Sequence, residues 1–433
     1  MASLREILLA KAQRRKAKKT MYKFLLFLLF PICVFGQPYS IVIKGGHVID
    51  PKNNINEPYD VAIQNGKVAL VAKNIDAKGA TQVVDAKGLY VTPGLIDIHG
   101  HVFAGTHSDR YLSDGNSALM PDGFTFRVGV TTIVDAGGAG WKSFPLFKQN
   151  IIDQSQTRVL SFLNIVGEGM RGGVHEQNMG DMDPRQAALV AQQYKDQIVG
   201  FKVAHFNGPQ WTPVDNAVEA GRISNKPVMV DFGGNVPPLS LQELFMQHLR
   251  AGDIFTHTYT LLDGNVRETV VDDATAKVKP FVWEAIKKGI VFDVGYGGAS
   301  FNFSQAIPAI KQGFLPTTIS TDLHTGSMNT SMKDQLSVMS KFLVMGMELP
   351  AVIKASTWSA AQVIKHEELG HLSAGAIADI TLLGLRQGNF GFYDKTGYKI
   401  EGKRKFECEM TIKDGRIVYD LNGIANPVVV KSK

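Results

Sequence analysis

The stretch "VTPGLIDIHGH", residues 91–101, decides how this chain folds. A Pro-Gly pair opens it, an apolar run carries it, and two histidines close it with one residue between them. Along a strand, residues i and i+2 point to the same side. His99 and His101 can therefore offer two imidazoles to one ion, and imidazole nitrogens suit Zn2+ at about 2.0–2.1 Å. Two solvated histidines at a loop are the plain alternative, and their surroundings argue against it.

Working outward, apolar runs recur along the chain: 95–101, 131–136, 158–167, 198–206, 226–232, 253–259, 289–297 and 317–324. They are apolar for most of their length instead of alternating, as strands covered on both faces should be. Helical patterns lie between them over 184–196, 213–224, 239–250 and 303–312. Eight strands alternating with helices predict an α/β fold, a (β/α)8 TIM-type barrel. Most of the runs finish alike, in His99 and His101, Lys202, Asp231, His257 and Asp322. A barrel gathers its strand C-termini at the active-site face, so these metal-binding and acid–base side chains should converge.

The two flanks read differently. From residue 38 to 91 short alternating segments surround Gly and Asn-Gly turns, and similar segments return after 371 with an Asp-Gly turn at Asp414-Gly415. They predict a small β-sandwich domain assembled from both chain ends, 38–91 and 372–433, around a barrel over 92–371. Residues 1–37 read as a leader. Met21 is followed by Lys23, an apolar run from Phe24 to Phe35, and Gly36, the pattern of a secretory signal peptide. The run is shorter than the roughly 20 residues a membrane span needs. A periplasmic or secreted protein is expected, with an uncleaved anchor as the alternative and either Met1 or Met21 as the start.

Charge excludes one class of partner. The formal charge is +6, but residues 1–36 carry eight Lys or Arg against Glu6 alone. The remainder is slightly acidic, so no nucleic-acid partner is implied. Of two cysteines, Cys33 lies in the leader and Cys408 stands alone, which rules out an internal disulfide and a cysteine-rich metal site. The expected partner is a small-molecule substrate, with no stable membrane span after signal removal; homo-oligomerisation is left open.

The motif Pro93 to His101 resembles the amidohydrolase superfamily signature, Pro-Gly-x-(Ile/Val)-Asp-x-His-x-His. With "GVTTIVDAGGAG", "GFKVAHF", "GDIFTHTY", "FDVGYGGASFNF" and "ISTDLHTG", the chain is similar to the amidohydrolase/deacetylase metallohydrolases, relatives of dihydroorotases and hydantoinases, from about residue 40 to 425. The resemblance implies one or two Zn2+ or similar divalent ions. It places His99 and His101 on the more buried metal and His257 on the more exposed one. Lys202 would bridge them as a carbamate formed with CO2, and Asp322 would touch the buried metal and handle the proton.

One position departs: the family usually has a histidine where this chain has Asp231. A carboxylate oxygen can replace it at about 2.0–2.2 Å, or the second site is weak or empty. Metal binding brings the pKa of water to about 7, and attack of that hydroxide with Asp322 as proton shuttle would cleave an amide or ester of a small acylated acid, such as an N-acyl amino acid. A cyclic-amide hydrolase and a non-catalytic scaffold are the rival readings. Arg171, His205, Tyr296, Gly298 and Ser300 are candidate substrate contacts; Asp97 reads as a support of the fold.

Overall fold

The computed structural model describes residues 39–104, 117–262 and 267–426. The leader lies outside the described residues, among which no helix is long and apolar enough to cross a membrane.

Seven strands form an all-parallel sheet in sequence order: β6 (Leu95–Gly100), β7 (Val130–Gly140), β8 (Arg158–Asn164), β9 (Ile198–Val203), β10 (Val228–Val230), β11 (Ile254–Phe255) and β12 (Val291–Phe292). Residues of β6, β7, β9 and β10 are buried throughout, which is why their sequences do not alternate. Helices cross between them, among them Pro184–Gln193 and Thr212–Ser224. The first starts where sequence physics asks, with the Asp183 carboxylate accepting from the Arg185 and Gln186 amides and Pro184 at the opening position.

The eighth segment closes the ring without forming a regular strand. Thr318 bridges to Asp293 beyond β12, and Leu323 bridges to Gly100 of β6. The Asp322 amide donates to the His99 carbonyl at 2.7 Å, and the His101 amide to the Leu323 carbonyl at 2.9 Å. Inside, Ile98, Val134, Phe162, Val199, Met229 and Ile254 pack with Ala360, Ala361 and Ile364 as an apolar cluster.

A second, eight-stranded mixed sheet draws on both chain ends. Strands β1 (Ile41–Asp50), β2 (Ile55–Gln64), β3 (Lys67–Ala72), β4 (Gln82–Asp85) and β5 (Tyr90–Pro93) meet β13 (Ile380–Tyr393), β14 (Lys399–Lys413) and β15 (Arg416–Asp420) through antiparallel pairing of β5 with β13. Its own core includes Ile43, Val61, Val91, Leu382 and Ile412. Cys408, on β14, is a buried thiol.

Candidate metal centre

At the C-terminal rim of β6, His99 and His101 flank Gly100 and reach the same carboxylate. The Nε2 of His101 lies 2.9 Å and that of His99 3.6 Å from Oδ1 of Asp322. Two donors about 2.0–2.1 Å from one ion at a tetrahedral angle stand roughly 3.4 Å apart. These separations fit that spacing, and the ligand atoms of His99, His101 and Asp322 all lie within 4.8 Å of one another. The residues present fit a divalent ion.

What stands behind the ring fixes its tautomer. The Thr256 hydroxyl donates to Oδ2 of Asp293 at 2.7 Å, so toward His99 Nδ1, 2.9 Å away, it acts as acceptor. Nδ1 then carries the proton and Nε2 keeps its lone pair. Burial, with the neighbouring Lys202 and His257, holds the pKa of His99 well below that of a free imidazole, which keeps it neutral and able to ligate. Asp293 also accepts from the Thr318 and Ser320 hydroxyls, and burial still pushes its carboxyl up. Asp97 plays the supporting part read from the sequence: it accepts from the His99 amide, the Thr321 amide and the Thr321 hydroxyl. Burial raises its pKa to about 7.

Lys202, next to last in β9, stands in register with Asn164 and Met229 and is 1% exposed. Its Nζ stands 3.2 Å from His99 Nε2. Its stem passes Gly137, where a Cβ would fall 2.7 Å from Lys202 Cγ and φ is +97°; glycine alone makes that passage.

Opposite His99 lies a second group of donors. His257 gives its Nδ1 proton to the Gly295 carbonyl at 2.5 Å, and its Nε2 stands 3.4 Å from Oδ2 of Asp231. The ring centroids of His99 and His257 are 5.1 Å apart, which sets the two halves side by side. Behind His257, the buried guanidinium of Arg267 donates to its carbonyl at 2.9 Å and lies 4.6 Å over the Phe255 ring. Burial lowers the Arg267 pKa to about 10, so it stays charged.

Two carboxylates, those of Asp231 and Asp322, are ionised. Burial alone would raise Asp231, but His257, Lys202 and His205 outweigh it and hold that carboxyl well below its usual value. For Asp322 the same contest is won by His101, His257 and His324. The close approach of the next loop matters too: a Cβ at Gly297, where φ is +61°, would fall 2.5 Å from Asp322 Oδ2.

Comparison with known proteins places the chain in a family. The amidohydrolase family model matches residues 299–418. A protein of Agrobacterium fabrum named deacetylase is 33% identical over 79% of this chain and 82% of its own length. A dihydroorotase of Geobacter metallireducens is 40% identical, but over only 20% of each chain. The chain belongs to the amidohydrolase family. Among solved structures, one titled adenine deaminase is 28% identical with a TM-score of 0.78, covering 88% of this chain and 100% of the other. One titled dihydroorotase is also 28% identical, with a TM-score of 0.75 and coverage of 88% and 99%. This amidohydrolase is a hydrolase of C–N bonds, with a small-molecule substrate and a family habit of using a divalent metal.

The candidate substrate contacts divide. Tyr296 is fully buried, its ring stacks on Phe301 at 4.2 Å, and its hydroxyl donates to the Tyr393 carbonyl at 3.1 Å. It packs within an aromatic cluster. The Arg171 guanidinium is committed to Glu168 at 2.9 Å, which also pairs with Lys142, so its charge is already answered. On the loop after β12 it is Gly297, rather than the candidate Gly298, that presses on Asp322, with Ser300 packed beside it. His205 is drawn into the centre itself, 3.6 Å from Asp231 Oδ2.

Four residues escaped sequence reasoning. Thr256, Asp293, Glu176 and His324 all touch or back the centre. Asp293 had a signal, an acid inside the apolar run at 289–297 like Asp231 in its own. His324 had one too, two residues beyond Asp322; its ring is 6.3 Å from that of His101 and its Nδ1 accepts from the Gly326 amide.

Proposed function

We propose that this amidohydrolase is a two-metal deacetylase that hydrolyses an amide or ester of a small acylated acid, such as an N-acyl amino acid. The observation that carries the reading is the convergence of His99 and His101 on Asp322 beside a second cluster at Asp231 and His257. A scaffold without chemistry has no use for ionised carboxylates facing a cluster of imidazoles in a buried rim. The deacetylase name of the Agrobacterium relative, similar over most of both chains, supports the choice of substrate class. Cyclic-amide hydrolysis is the second reading, favoured by the likeness to the structure titled dihydroorotase.

Imidazole nitrogens and carboxylate oxygens form a Zn2+ donor set. His99, His101 and Asp322 would hold the buried ion, Asp231 and His257 the exposed one, and Lys202, as its carbamate, would bridge them. When bound, such ions supply Lewis acidity, bringing the pKa of water from about 15.7 to about 7 and polarising a carbonyl. The protein does the rest. Asp322 keeps Oδ1 toward the imidazoles, and Oδ2, on the Gly297 side, takes the attacking water's proton and returns it to the departing amine or alkoxide. His257, held by Gly295 and Arg267, would offer its Nε2 lone pair to the exposed ion.

The test is a screen of metal-loaded protein against N-acyl amino acids, acylated hydroxy acids, hydantoins and dihydroorotate. Turnover concentrated in the first two groups is expected. Turnover confined to the cyclic amides transfers the assignment to the second reading, and no turnover by metal-loaded protein on any of them sinks both.

A further inference from the structure

The exposed half of the centre has one nitrogen, from His257, where the resemblance leads one to expect two, because β10 runs into Asp231 in place of a histidine. A nitrogen stands close by on the neighbouring rim. His205, three residues beyond Lys202, brings Nε2 to 3.6 Å from Oδ2 of Asp231, the same oxygen that His257 Nε2 approaches to 3.4 Å. Donors sharing one ion at a tetrahedral angle stand about 3.4 Å apart, so each imidazole keeps a ligand-like spacing to that carboxylate.

The far side of His205 is built for ligation. Its Nδ1 lies 2.9 Å from Oε2 of Glu176. Glu176 is 2% exposed, and its other oxygen, Oε1, is buried without a hydrogen-bond partner. Buried polar atoms are rarely left so, and this carboxylate holds an imidazole whose side chain is 49% exposed. Metal-ligating histidines usually give their second N–H to a carboxylate or carbonyl, which fixes the tautomer and raises the basicity of the ligating nitrogen. His257 does this with Gly295, and His205 does it with Glu176.

Backbone conformation points the same way. His205 and His257, each two residues past a strand, and Asp322, in the eighth segment, all have positive φ, +56°, +54° and +52°. Non-glycine residues hold that conformation when their surroundings impose it, and such residues cluster at functional sites. The loop is also clamped. Gln177 donates to the His205 carbonyl at 2.7 Å and accepts from the Asn207 amide, and Asn235, on the same loop as Asp231, donates to the Phe206 and Gly208 carbonyls.

The geometry points to His205, backed by Glu176, as the nitrogen ligand of the exposed metal, supplied from the β9 rim in place of a strand-five histidine. The inference rests on the two-metal reading above and adds a ligand to it. Asp231 and His205 together then give the exposed ion one oxygen and one nitrogen beside His257.

The experiment loads the full protein with Co2+, removes free metal, and reads bound metal by elemental analysis with the visible absorption spectrum. The unmodified protein should hold two ions. His205→Ala, a change at a half-exposed side chain, should hold one and lose the absorption of the other. Glu176→Gln, which keeps the imidazole and removes its anionic partner, should weaken the second ion about 10- to 100-fold. Retention of both ions with an unchanged spectrum in His205→Ala overturns the inference, and a raised KM with intact metal content would make His205 a substrate contact instead. A single ion in the unmodified protein also overturns it. Failure of the unmodified protein to bind any divalent ion is a different result, because it removes the proposed function itself.

Discussion

His101 Nε2 and Asp322 Oδ1 lie 2.9 Å apart although 221 positions separate them in the chain. The approach is made by backbone: the eighth segment pairs with β6 through the Asp322 and His101 amides, so barrel closure and assembly of the buried ligand set are one event. Asp97 reinforces it from below by gripping Thr321. Chemistry and closure share residues here, which makes conservative substitutions the informative ones.

Asp322→Asn keeps shape and the potential to ligate through one oxygen but cannot carry a proton as a carboxylate does. The variant should fold and retain metal, with kcat lower by about 10²- to 10⁴-fold. Steady-state kinetics alongside metal analysis checks this. Near-normal turnover would remove Asp322 as the proton carrier.

Lys202 is fully buried with Nζ 3.2 Å from His99 Nε2. Between two metal ions a cationic amine would be repelled, whereas a carbamate would be an anionic oxygen ligand. Protein equilibrated with 13C-bicarbonate and zinc should show a carbamate resonance in its carbon NMR spectrum. Lys202→Ala should lose both that resonance and bound metal. A variant that still holds two ions would show that Lys202 does not bridge them.

Thr256→Val is nearly isosteric and breaks the chain from Asp293 to His99. It leaves a buried carboxylate one donor short and the His99 ring unanchored. Affinity for the buried ion should fall about 10- to 100-fold, and stability by roughly 1–3 kcal/mol. Metal titration and thermal melts measure the two effects separately. Unchanged affinity would mean that packing alone orients His99.

Tyr296→Phe separates a core role from a substrate role. Losing the hydrogen bond to the Tyr393 carbonyl should cost about 0.5–1.5 kcal/mol, while KM stays within experimental error of the unmodified enzyme. A clear rise in KM without a fall in Tm would return Tyr296 to the substrate.

Much of the barrel was legible because burial on both faces leaves an apolar run that needs no partner to be recognised. The seventh run, 289–297, shows the limit: only Val291–Phe292 is regular strand, since Gly295 and Gly297 turn the backbone away beneath His257 and Asp322. Strand-end position was enough to single out His99, His101, Lys202, Asp231, His257 and Asp322. It could not reveal Glu176 or Thr256, whose importance lies in hydrogen bonds to residues 29 and 157 positions away. Tyr296 shows the converse, a polar tip on a ring that packs in the core.

Lys341 offers a pH test independent of the metal centre. Its side chain is buried, with Nζ donating to the Ser331 carbonyl and lying 3.9 Å over the Tyr296 ring. Burial, with Lys333 nearby, lowers its pKa to about 7, against the pull of Asp334 and Asp394. The unfolded chain keeps this lysine protonated up to about pH 10.4. Between those values the unfolded state binds the extra proton, so the contribution of Lys341 to stability rises with pH. Its cost is full below about pH 7 and fades toward pH 10. Lys341→Met removes the charge and keeps the volume, at the loss of one hydrogen bond. The Tm of the variant relative to the unmodified protein should therefore be most favourable at and below pH 7 and decline steadily toward pH 10. Melts of both proteins across that range decide it, and a difference that does not change with pH would show that Lys341 is charged in the folded protein throughout.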